Sequence, residues 1–178
     1  MRTFTNRLRN AAATFALLTG SQLSLATNDS IFERHPSPPP VIDSQPVLEL
    51  YVSLNPKVTV GHSDDGERFI VPISGGHFRG EAISGKVMSG GADWQTVRND
   101  NIKEIFALYS IQTNDGATIV VDNKGIVSGK SGTRYARTSP KFHAPKGKYE
   151  WLNEKLFVGT ITSLRNPRAV IIRVYQVD

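Results

Sequence analysis

The sequence predicts an all-β protein: an antiparallel β-barrel of about nine or ten strands, lipocalin-like in general shape, with one short helical turn. Three observations carry that expectation. From Val47 onward apolar residues recur with period two. Turn-forming groups of Gly, Asn, Asp and Pro punctuate the chain at short intervals. Only Tyr149–Glu154 has the make-up of a helical turn.

Taken in order, Leu48, Leu50, Val52 and Leu54 alternate with Glu49, Tyr51 and Ser53, which gives a strand one buried face, and Asn55-Pro56 ends it. Lys57–Val60 and Arg68–Ser74 flank the turn-rich stretch 61–66. Ile83–Met88 and Asp93–Arg98 flank Ser89-Gly90-Gly91. Lys103–Thr113 and Ala117–Asp122 form the clearest hairpin, because Asp115-Gly116 supplies the positive torsions such a turn needs. Arg134–Thr138, Leu156–Ser163 and Ala169–Val177 complete the set, with Asn166-Pro167 between the last two. A long apolar final strand needs neighbours on both sides, which favours a closed barrel over the alternative, a sandwich.

The first residues read as an address. Arg2, Arg7 and Arg9 precede the apolar run Ala11–Leu18, and Ser24 and Ala26 supply small residues for cleavage, so 1–26 is expected to be a signal peptide. The run is too short to span a bilayer, so no membrane span is expected, and the protein is expected to be exported, periplasmic or secreted. Residues 27–46 hold five Pro, including Pro38-Pro39-Pro40, and read as an extended linker to a barrel domain at 47–178. Asn28-Asp29-Ser30 is a glycosylation sequon, relevant only in a eukaryotic host.

The composition excludes several chemistries. The 178 residues include no Cys, so disulfides, thiolate metal sites and Cys nucleophiles are absent. The four His (35, 62, 77 and 143) are scattered without metal-ligand spacing, and neither metal nor cofactor is expected. Gly125–Ser131 approaches a phosphate-binding loop but has one residue too few between its glycines. The formal charge of +5 falls to +2 without residues 1–26, which hold three Arg and no acid. What remains is uneven: residues 124–148 carry seven Lys and Arg and no acid. No aromatic stacking pattern accompanies them in sequence, so nucleic acid is not an expected partner and a solvated basic loop is the plainer reading.

Six ordered blocks carry a family resemblance: Pro72–Gly80, Gly90–Gln95, Tyr109–Gly116, Arg137–Phe142, Tyr149–Asn153 and Leu156–Gly159. Together, from about Val47 to Asp178, the chain resembles the domain of unknown function family 3237. The resemblance implies an antiparallel β-barrel with no generally assigned activity, often a stand-alone bacterial or fungal protein. Relatives often have a longer insertion before the block at Arg137, so the short stretch 125–134 implies a more open barrel mouth.

Inside a barrel, alternate side chains converge. Asp93 and Gln95 share one face of their strand, opposite Trp94, while Tyr109 shares a face with Ile105, Ala107, Ile111 and Thr113. Tyr135 and Arg137 also share a face. The leading expectation is a barrel that binds a small apolar or aromatic molecule, with Trp94, Gln95, Tyr135, Trp151 and Asn153 as ligand contacts. The alternative is a cofactor-free isomerase, cyclase or lyase with Asp93 as base, Tyr109 as acid or donor and Arg137 as oxyanion stabiliser. A weaker alternative is an envelope scaffold that binds anions through residues 124–148. The sequence fixes no oligomeric state.

Overall fold

The computed structural model describes residues 33, 34, 42–129 and 134–178; the expected signal peptide and most of the expected linker lie outside the described residues. Ten strands form from residue 44 onward: β1 (Ser44–Leu54), β2 (Val58–Ser63), β3 (Gly66–Arg79), β4 (Ser84–Val87), β5 (Ala92–Arg98), β6 (Lys103–Thr113), β7 (Thr118–Ser128), β8 (Tyr135–His143), β9 (Leu156–Leu164) and β10 (Ala169–Val177). The expected helical turn is a 3-10 turn at Glu150–Asn153. Among the described residues no helix is long and apolar enough to cross a membrane.

Every pairing is antiparallel. The order runs β1-β10-β9-β8-β7-β6; β6 then pairs with both β4 and β5, each of these pairs with β3, and β3 returns to β1. The ring therefore closes as an eight-stranded barrel in which β4 and β5 share one place, and β2 adds to the first half of β3. Closure leaves β1 and β10 no free edge, which disposes of the sandwich.

Three strands run further than the turn signals suggest. β3 continues through Gly75-Gly76, β7 through Asn123-Lys124-Gly125, and β8 through Pro140 to His143. β1 begins at Ser44, so the last three residues of the expected linker are strand. Pro46 fits because the register with β10 shifts just after it, where a missing amide breaks no regular ladder bond.

The inward face is apolar. Leu50, Val52, Ile111, Ile119, Val121 and Val174 are nearly inaccessible, the two-residue period seen in the sequence. One end of the barrel is filled. There Phe142 meets Phe157 edge-on at 5.1 Å, Phe157 meets Trp151 at 6.2 Å, and Leu152 of the 3-10 turn is buried beneath them. Asp115 in the β6–β7 turn holds this plug in place, accepting hydrogen bonds from Thr113, from the Lys148 ammonium (2.8 Å) and from the Tyr149 hydroxyl (2.8 Å). Those donors hold the Asp115 carboxyl well below the usual carboxylate range.

Candidate functional site

The opposite end of the interior is not filled. A cavity of about 100 Å³ lies among β1, β3, β5, β6, β7, β9 and β10, walled by apolar side chains such as Val52, Ile73, Ile105, Val127, Ile161 and Ile172. Polar side chains interrupt that wall, among them Asp93 and Gln95 from β5, Tyr109 from β6 and Asn123 from β7. They meet because each occupies an inward position of its strand, and the ladder sets Asp93 opposite Ala107 and Ala107 opposite Asn123.

Asp93 is the most constrained of them. One carboxylate oxygen accepts a 2.5 Å hydrogen bond from the Gln95 amide and the other a 3.2 Å bond from the backbone N–H of Phe106. Burial disfavours its charge and raises its pKa, against the lowering influence of those two donors and of the Lys103 charge. Tyr109 is 4% exposed; burial, then the nearby Asp93 charge, push its hydroxyl above the ordinary phenol value, so it stays protonated and able to donate. Asn123 is 1% exposed, and its side-chain oxygen is buried with no hydrogen-bond partner. An acceptor left in that state costs about 1–3 kcal/mol.

Arg137 is not part of this group. It lies on the outer face of β8, its guanidinium 5.2 Å from the Tyr135 ring and bonded to the Ala136 carbonyl at 3.0 Å. The period-two alternation explains this: Ala136, Thr138 and Phe142 point inward, so Tyr135 and Arg137 point out. Trp94 (41% exposed) and Tyr135 (52% exposed) are likewise outside, in an open cleft of about 630 Å³ together with Phe106, Lys124 and Arg137. That cleft is larger than the interior cavity, yet its cations already sit over its rings, Lys124 above Phe106 at 5.3 Å and Arg137 above Tyr135. Two buried polar atoms lack a partner among the described residues, Asn123 Oδ1 and Thr138 Oγ1. Thr138 borders the cleft, whereas Asn123 lines the enclosed cavity beside Asp93 and Tyr109, and that convergence of polar groups makes the interior the candidate site.

Trp151 and Asn153 belong to the filled end. Asn153 brackets Ala144, accepting from its N–H at 2.8 Å and donating to its carbonyl at 3.0 Å, which clips the 3-10 turn to the end of β8. The described cations of 124–148 are spread along the barrel rather than gathered. Arg134 bonds the Ile161 carbonyl and Ser163 on β9, whereas Lys148 is tied to Asp115 at the far end.

Two site features went unread in the sequence. Asn123 continues the inward series Ile119, Val121, but Asn-Lys-Gly resembles a turn and hid it. Lys103 and Arg134, both at the cavity, showed only as part of the charge count.

Comparison with known proteins bears on the whole barrel. The model of a family described as "Protein of unknown function (DUF3237)" matches residues 42–177. The chain belongs to the DUF3237 family. Within it, a UPF0311 protein of Bradyrhizobium diazoefficiens is 37% identical over 152 residues, covering 78% of this chain and 98% of the relative. The crystal structure of a beta-barrel like protein from Acinetobacter baumannii AYE matches this DUF3237 barrel with a TM-score of 0.73 at 32% identity, covering 80% of this chain and 99% of that one. A crystal structure described as an enzyme from Penicillium herquei matches at a TM-score of 0.66 and 24% identity, covering 80% of this chain and 98% of that one, a likeness in fold alone.

Proposed function

We propose that this DUF3237 barrel binds a small organic molecule end-on in its interior cavity, the apolar body against the walls and one polar group against Asp93, Tyr109 and Asn123. The observation that supports it is the buried, unpartnered oxygen of Asn123 beside two further polar groups in an otherwise apolar enclosure. The size limits what enters. About 100 Å³ is smaller than the roughly 150 Å³ cavity that accepts benzene, so the site takes one end of a ligand while the rest faces the mouth.

Titration with phenol, followed by methyl and amide NMR shifts, tests this. Shifts centred on Ile105, Ala107, Val127 and Ile172 are expected, with affinity falling about fivefold or more in Asn123→Leu as a hydrogen bond of about 1 kcal/mol is lost. Shifts confined to Trp94, Phe106 and Tyr135, or none at millimolar phenol, would overturn the reading.

The raised pKa of Asp93 beside a protonated Tyr109 favours a second reading, acid–base catalysis in the same cavity. Asp93 would move the proton and Tyr109 would donate to the developing oxyanion, with no part for Arg137. The premise is open to measurement. A carboxyl whose folded-state pKa is raised contributes stability that is fully present below the unfolded value of about 3.9 and is lost as pH rises through the folded value. Asp93→Asn is therefore expected to gain Tm relative to the parent as pH rises through that window. An unchanged difference across it, or a carbon-13 titration of Asp93 at or below the ordinary value, would remove the basis for this reading.

A further inference from the structure

The cavity has a polarity order along its depth. Asn123 lies in mid-strand, flanked by Ala107 and Pro140. Lys103 is the first residue of β6 and pairs with Val127, four residues along β7 from Asn123, or roughly 13 Å toward the strand end. Arg134 immediately precedes β8 at the same end. Both cations line the cavity, and among the described residues neither makes a salt bridge. Asp93 is the one acid in the lining; Gln95 and the Phe106 N–H engage its oxygens, and the Lys103 charge acts on it without salt-bridge contact.

Arg134 is also held in place. One terminal nitrogen donates to the Ile161 carbonyl at 2.7 Å and the other to Ser163 Oγ at 3.2 Å. A guanidinium has five N–H donors, so donors remain for a ligand, and its orientation is set before one arrives. The enclosure thus presents Asn123 beside Asp93 at depth, apolar walls between, and at the rim two cations that no salt bridge neutralises among the described residues.

We infer that the ligand of this cavity is an anionic amphiphile: a small molecule with a neutral hydrogen-bond donor at its inner end, meeting Asn123, and a carboxylate or similar anion at its outer end, meeting Lys103 and Arg134. The inference rests on the interior binding proposed above and adds its charge and orientation. A cationic ligand meets two like charges at the rim, and a purely apolar one leaves the Asn123 oxygen bare.

Three para-substituted probes separate the parts: 4-hydroxybenzoate has both the donor and the anion, benzoate lacks the donor, and 4-hydroxybenzyl alcohol lacks the anion. By calorimetry at pH 7, 4-hydroxybenzoate is expected to bind about tenfold or more tightly than 4-hydroxybenzyl alcohol, as a charge-assisted contact provides. That preference is expected to shrink with added salt and in Lys103→Gln and Arg134→Gln. Asn123→Leu is expected to abolish the advantage of 4-hydroxybenzoate over benzoate. Equal or tighter binding of 4-hydroxybenzyl alcohol at the cavity would overturn the anionic ligand and leave interior binding standing. Absence of cavity shifts with all three probes and with phenol would overturn both.

Discussion

Gly76→Ala is expected to destabilise the barrel by at least about 3 kcal/mol, lowering Tm by about 10 °C or more. Gly76 sits where three strands meet, opposite Val52 of β1 and Val87 of β4. Its φ of +141° is one that side-chain-bearing residues rarely adopt, and a Cβ there would lie 2.0 Å from the backbone oxygen of Tyr51. That oxygen belongs to the β1–β3 seam through which the ring closes, so β1 must shift or β3 must change its torsions. Either change opens the seam. Gly129→Ala is the control, since a Cβ at Gly129 meets nothing within 4 Å among the described residues, and it is expected to stay within about 0.5 kcal/mol of the parent. Thermal unfolding followed by circular dichroism compares the two. A Gly76→Ala barrel as stable as the control would show that the close approach to Tyr51 relaxes freely.

Phe142→Ala is expected to cost about 3–5 kcal/mol through lost burial and the cavity it leaves. Phe142 is among the largest fully buried side chains, and its ring braces Phe157, which in turn meets Trp151. Denaturant unfolding measures the loss, and a red shift of tryptophan emission reports loosening around Trp151. Phenol affinity in the folded fraction is expected to change little, because the plug and the cavity occupy opposite ends of the barrel. A loss below about 1 kcal/mol would mean that the filled end collapses around the gap.

Most of the architecture was legible because barrel strands write a two-residue period into the chain. β6 and β10 have the expected limits, and the Asp115-Gly116 hairpin joins β6 to β7. The alternation rule also places Asp93 and Tyr109 correctly on the inner face. What it could not do was compare strands. Asp93 and Arg137 each obey the period in their own strand, yet only the closed ladder decides that one faces in and the other out. Turn chemistry misled in the same way. Gly75-Gly76 and Asn123-Lys124-Gly125 have the composition of loops, but the glycines serve close strand approach: Gly76 passes against Tyr51, and Gly125 against Arg137 and Thr138. The outer cleft shows the same limit, since Trp94 and Phe106 reach Lys124 only through pairing across β5, β6 and β7.

The pairing of β1 with β10 has a consequence for how the chain comes to be folded at all. The first strand of the ring has β3 on one side and β10, the last strand of the ring in sequence, on the other. During synthesis no length of nascent chain that lacks Ala169–Val177 can complete the ring, and until then β1 and β9 each expose a row of unpaired amides and carbonyls. Contacts this distant in sequence form slowly. The barrel thus cannot close until its tenth strand has emerged, and for that interval the chain remains a substrate for chaperones and for any machinery that handles unfolded polypeptide.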